Sequence, residues 1–195
     1  MQTQNASRLS ASNLRLVESA ILLALSTVLS LVKIYQMPLG GSVTLCSMLP
    51  VLLIGYKYGV EWGLLTSFTY GVIQLLLDLG AALSWGLTPQ ALAASIVFDY
   101  LLAFASLGLA GIWGRGFPKF VAGLFTAVAL RFAFHVISGV TAYASWLPKE
   151  WGNHLFLYSL AYNGSFLLPD FLICLAVGVA LYRPLQRFLE PSAAA

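Results

Sequence analysis

Arg131, His135, Gly139 and Tyr143 recur at every fourth position, so on a helix they line one face. The residues around them are apolar enough for a lipid bilayer. A cation and an imidazole at membrane depth are costly unless they face a protein interior or a wet cavity. The stripe runs out into an aromatic loop with Tyr143, Trp146 and Trp151, and the chain re-enters at Tyr158, Tyr162 and Asn163. Two helices and their connecting loop thus bring polar and aromatic groups towards one place, which reads as a ligand pocket.

Asp99, followed by Tyr100, belongs to the same level on another helix. A carboxylate among Tyr100, Tyr143, Trp146 and Tyr158 suits a flat cation. Aromatic faces and an anion attract the same charge, and cation–π contacts add up to about 2 kcal/mol when desolvated. Each residue also has a plainer reading. Asp99 could be neutralised by Arg131 in the bundle core, His135 could be a satisfied interior histidine, and Asn163 could tie two helices.

The composition says where these groups sit. Of 195 residues, 59% are hydrophobic and 9% charged, against about a quarter charged in soluble domains. The mean hydropathy is +0.86. A span needs roughly 20 apolar residues, so the expectation is an all-α, polytopic membrane protein of six transmembrane helices. The long apolar runs do not alternate as barrel strands do. The formal charge of +3 says little about nucleic acid, because the basic residues lie at helix ends. Cys46 and Cys174, far apart in apolar stretches, read as small core residues. No Cys/His metal spacing, P-loop or HExxH is present, so neither metal nor cofactor is expected.

The chain reads as a single transmembrane substrate-binding domain over 1–195, with polar tails at 1–15 and 183–195. The expected helices run from Glu18 to Tyr35, Leu45 to Tyr56, Val60 to Leu79, Thr88 to Trp113, Phe120 to Ala142 and His154 to Tyr182. Gln36 to Thr44 is a loop by its proline and glycine pair. Arg8, Arg15, Lys57, Arg115, Lys119, Arg183 and Arg187 gather on one side, and Lys33 and Lys149 fall on the other. By the positive-inside rule both termini are cytoplasmic and the Tyr143–Trp151 loop is outside. Asp99 then lies about 11 residues, roughly 16 Å, below the outer end of its helix. Gln74 and Asp78 share that outer half.

Small residues at Gly59, Gly63, Ser67 and Gly71 permit close helix packing, and Ala20 and Ala24 offer a similar face on the first helix. That alanine face is either structural or a docking face for another membrane protein. An enzyme reading would take Gly40-Gly41-Ser42 as a protease GxS with His135 as base, but Ser42 sits in a Gly/Pro loop outside the membrane.

QMPLGGSVTLCSMLPVLLIGYKYGVEWG, VFDYLLAFASLGLAG, RFAFHVISG and YSLAYN with a following P-D-F occur in that order. In this the chain resembles the thiamine-specific S components (ThiT/YuaJ family) of energy-coupling-factor (ECF) transporters, over Leu16 to Tyr182. The resemblance implies a six-helix protein of the bacterial cell membrane that binds thiamine from outside. It implies toppling in the membrane against a T subunit and two ATPase subunits, with the Ala20/Ala24 face on the T subunit. It carries Asp99 and Tyr100 onto the family's acidic–tyrosine motif, His135 onto its pocket histidine, Gly139 onto its glycine, and Tyr158 and Asn163 onto its YSxxxN pair. The alternatives are an S component for another vitamin or a thiamine precursor, or an intramembrane enzyme.

Overall fold

Apolar helices of membrane length make up most of the chain. The computed structural model describes residues 2–190, with side chains from residue 11 onward. In order these are α1 (Gln2–Leu31), a hairpin of β1 (Lys33–Gln36) and β2 (Ser42–Thr44), α2 (Leu49–Tyr58) and α3 (Val60–Ser84). Then come α4 (Pro89–Gly111), α5 (Phe117–Thr141), α6 (Leu155–Tyr182) and a short α7 (Gln186–Leu189). Five of them, α1, α3, α4, α5 and α6, are long and apolar enough to cross a membrane. The sixth, α2, has 10 residues, which is only about 15 Å of helix. Leu49 to Lys57 are all buried, so α2 is the central helix, apolar all round because neighbours cover every side.

Small residues bring these helices together. A Cβ at Gly55 would lie 2.6 Å from the Gly108 carbonyl oxygen, and one at Gly71 would lie 2.5 Å from that of Tyr100. Gly63 also faces Gly108, and Ser67 is fully buried between them. Gly63, Ser67 and Gly71 therefore let the α2, α3 and α4 backbones touch, whereas Gly59, expected in the same stripe, is the link between α2 and α3 at φ 87° with no neighbour within 4 Å of an added Cβ. At the end of the bundle opposite the hairpin, Arg115 donates to the Tyr56 and Lys57 carbonyls. These are among the acceptors that the end of α2 leaves unpaired. Lys57 also pairs with Glu18 of α1.

Several boundaries differ from the sequence expectation. Helix α1 starts at Gln2, not after a polar tail at 1–15, and ends at Leu31. The stretch expected to finish that helix and form a loop is instead an antiparallel hairpin, with Tyr35 opposite Val43. Lys-Ile-Tyr-Gln and Ser-Val-Thr supply β-branched and aromatic residues, and Gly40 and Gly41, at φ 86° and 84°, turn the chain between them. Helix α3 runs on to Ser84, because Gly80 is followed by strong helix formers, Ala81 and Ala82. The C-terminal tail is not wholly a polar extension: α7 folds back and buries Leu189. The remainder of that tail, 191–195, lies outside the described residues.

Candidate binding site

The antiparallel helices place the hairpin, the α3–α4 turn and the α5–α6 loop at one end of the bundle. Below them opens a cavity of about 150 Å³ walled by α3, α4, α5, α6 and the hairpin. Asp99, Tyr100, Arg131, His135, Gly139, Tyr143, Trp146, Tyr158 and Asn163 all line it.

Of its charged lining residues, Lys33, Asp78, Asp99, Arg131 and Asp170, Asp99 accepts the most side-chain hydrogen bonds. It sits where α4 widens into a π-helical stretch, Ile96–Leu102, a distortion frequent at functional sites. Its Oδ1 lies 2.8 Å from His135 Nδ1. Its Oδ2 accepts from Ser95 Oγ at 2.9 Å and from Ser138 Oγ at 2.5 Å. His135 and Ser138, three apart, share a face of α5, and Ser95 lies one turn before Asp99. The carboxylate is thus held in place from two helices.

The Asp99–Arg131 ion pair raised by the sequence is not formed. Arg131 lies one turn further from the mouth than His135, and His135 and Ser138 stand level with the carboxylate instead. The Arg131 guanidinium packs 4.0 Å over the Phe104 ring. Its Nε and Nη1 have no hydrogen-bond partner among the described residues, and neither has His135 Nε2.

Gly139 and Asn163 also hold α5 against α6. A side chain at Gly139 would collide with Ser159. Asn163 Nδ2 donates to the His135 carbonyl at 3.2 Å and to the Ser159 carbonyl at 2.9 Å. The helix tie considered for Asn163 is therefore present, while its residue still borders the cavity.

Aromatic rings surround the opening. Tyr143 Oη lies 3.0 Å from Ser95 Oγ, and its ring meets Trp85 edge-on at 6.0 Å. Burial, and then the Asp99 charge, push the Tyr143 phenol up, so it remains a neutral hydroxyl through the physiological range. Tyr158 meets Trp151 edge-on at 5.4 Å. Trp146 lines the cavity while 43% exposed, as suits a residue at a mouth.

The wall also includes Tyr162, which the sequence already turns towards the pocket, and several residues that it leaves unassigned. Tyr162 accepts from Leu39 N at 3.0 Å and donates to the Gly40 carbonyl at 3.1 Å, pinning the hairpin tip. Asp170 accepts from Thr44 N at 2.8 Å and Thr44 Oγ1 at 2.9 Å, pinning the hairpin base. Gln74, Trp85, Phe166 and the serine partners of Asp99 complete the set. The signal for Asp170 was present, since a carboxylate inside a membrane helix is a functional candidate by default. Trp85 had none, because only the hairpin fold brings Gly40 against it.

On α1, Ser19, Ser26 and Ser30 are buried, and Ala20 and Ala24 lie on the exposed side. Ser42 lines the cavity but makes no hydrogen bond to His135 among the described residues.

The comparisons agree with this architecture. Residues 16–190 match the family described as thiamine transporter protein. The thiamine transporter ThiT of Bacillus subtilis (strain 168) is 32% identical over 191 residues, which is 90% of this chain and 94% of that protein. ThiT of Lacticaseibacillus paracasei is 26% identical over 156 residues, 73% of this chain and 74% of its own. A solved structure of ThiT from Listeria monocytogenes superposes with a TM-score of 0.73 at 19% identity, covering 92% of this chain and 99% of that one, a likeness of fold. These relatives are named transporters, not enzymes, which removes the protease alternative. A helical membrane protein matched to one family over almost its whole length, this chain belongs to the thiamine transporter protein family.

Proposed function

We propose that this chain is the substrate-capture subunit of an ECF-type vitamin importer, binding thiamine at the Asp99 cavity from the extracellular side. The observation that carries the reading is Asp99 itself, a carboxylate fixed by three donors inside an aromatic-walled cavity. Thiamine is a flat heteroaromatic with a permanent thiazolium charge, and an anion ringed by π-faces attracts that combination. Relatives named for thiamine transport support the substrate.

The outward direction rests on charge. Seven basic residues gather at the end away from the hairpin, against Lys33 and Lys149 near it, which favours cytoplasmic termini in a bacterial cell membrane. Uphill delivery draws its energy from a partner or an ion, and this chain carries no nucleotide-binding motif. We assign that role to a T subunit and two ATPase subunits. The flat exposed Ala20/Ala24 face of α1 is the docking surface for the T subunit, because small residues let a partner helix approach closely.

The test is tryptophan fluorescence of the purified protein titrated with thiamine, its pyrimidine moiety, riboflavin and pyridoxine. Saturable quenching by thiamine at the lowest concentration is expected. Tighter binding of the pyrimidine moiety would make the chain a precursor transporter, and no response to thiamine would overturn the reading.

A further inference from the structure

We infer that Gln74 reads a hydrogen-bond donor on the ligand through its side-chain carbonyl Oε1. The inference rests on the thiamine reading above and adds a specificity residue to it. Gln74 lines the cavity from α3 and is 7% exposed, so its amide depends on partners inside the protein or the cavity.

A relay to α1 decides which way that amide faces. Ser30 Oγ donates to the Thr27 carbonyl at 2.7 Å. A hydroxyl has a single proton to give, so in its 2.9 Å contact with Gln74 the serine accepts and Gln74 Nε2 donates. Turning the amide over would oblige the Ser30 hydroxyl to leave the Thr27 carbonyl and donate to Gln74 Oε1 instead. Oε1 is therefore the free end, and it makes no hydrogen bond to protein among the described residues. An acceptor held this way at the cavity surface favours a ligand that brings a donor and opposes one that brings another acceptor.

Thiamine has two such donors, the exocyclic amine of its pyrimidine and the hydroxyl of its hydroxyethyl arm. Two analogues separate them: one with the amine replaced by an oxo group, and one with the hydroxyl replaced by chlorine. Dissociation constants of thiamine and both analogues are measured for the wild-type protein and for Gln74→Leu, Gln74→Glu and Ser30→Ala.

The wild type is expected to prefer thiamine by roughly tenfold or more over the analogue that lacks the donor Gln74 reads. Gln74→Leu should collapse that ratio and leave the other unchanged. Gln74→Glu retains an acceptor and should retain the preference, so it decides the matter if the leucine variant fails to fold. Ser30→Ala lets the amide turn, and should narrow the same ratio without removing the amide. Wild-type binding of thiamine with both ratios unchanged in the variants would overturn this inference alone. Failure of the wild type to bind thiamine would overturn the thiamine reading and this one with it.

Discussion

Replacing Asp99 with Asn tests its charge with the least disturbance to its frame. The amide keeps the carboxylate's size and leaves one oxygen to accept from Ser95 and Ser138, which now meet Oδ2. Its NH2 group would face His135 Nδ1, which can become an acceptor by shifting the imidazole proton to Nε2. Local geometry is thus preserved and the charge is removed. A thiazolium about 5 Å from the carboxylate, at an effective dielectric of about 20, gains roughly 3 kcal/mol. The Asp99 side chain is 17% exposed, so partial screening brings the loss to about 1.5–3 kcal/mol. This is about a 10- to 150-fold rise in Kd, read by isothermal titration or tryptophan quenching at neutral pH. The uncharged pyrimidine moiety is the control and should lose far less. A thiamine Kd within twofold of wild type would refute the reasoning, and an equal loss for both ligands would make Asp99 a structural residue.

Other perturbations separate the remaining parts of the reading. Ala20→Trp with Ala24→Trp should leave thiamine binding in detergent unchanged while abolishing uptake and co-purification of the T and ATPase subunits; normal uptake would remove α1 as the docking face. Thr44→Val deletes one of the two hydrogen bonds that Asp170 accepts from the hairpin and the Thr44 hydroxyl's contacts with Ser47, so at about 1 kcal/mol per bond stopped-flow release of thiamine should quicken about fivefold or more. Gly139→Ala drives a methyl into Ser159 and should cost about 1–3 kcal/mol as overpacking, visible as a lower thermal midpoint even without ligand. A cysteine at Glu190 should resist impermeant maleimide applied to intact cells, and one at Glu150 should react; the reverse pattern would invert the proposed topology.

The parts of the molecule legible in the sequence obey a single period. The spacing of Arg131, His135, Gly139 and Tyr143 is a helical face, and that face does border the cavity. What the period could not supply is height. It brought Asp99 and Arg131 to a similar depth, yet one helical turn separates a carboxylate bonded to His135 from one paired with the arginine. The π-helical stretch at Ile96–Leu102 adds to this, because it resets the register of α4 just where Asp99 sits. The hairpin was hidden for another reason. Its strands are short, its turn is rich in glycine, and it is held by distant residues, Tyr162 and Asp170 on α6, that no local pattern reveals.

The division of labour on α1 follows from where its polar residues face. Its inward side is bonded into the cavity wall: Tyr70 Oη donates to the Ser26 carbonyl at 3.2 Å and Gln74 donates to Ser30. Both Tyr70 and Gln74 line the cavity. Its outward side carries Ala20 and Ala24, exposed and small. A helix bonded to the ligand site on one face and open to a partner on the other can sense occupancy without contacting the ligand through its alanines. Such coupling is reciprocal for binding free energies. If thiamine raises the affinity of the T subunit for this chain, the T subunit must raise the affinity for thiamine by the same factor. Tyr70→Phe keeps the ring against Phe104 and removes the hydroxyl that ties it to α1, so it should shrink both factors together. Measuring thiamine Kd with and without the T–ATPase module, and module Kd with and without thiamine, provides the check. Equal, undiminished factors in the variant would show that Tyr70 does not carry the coupling.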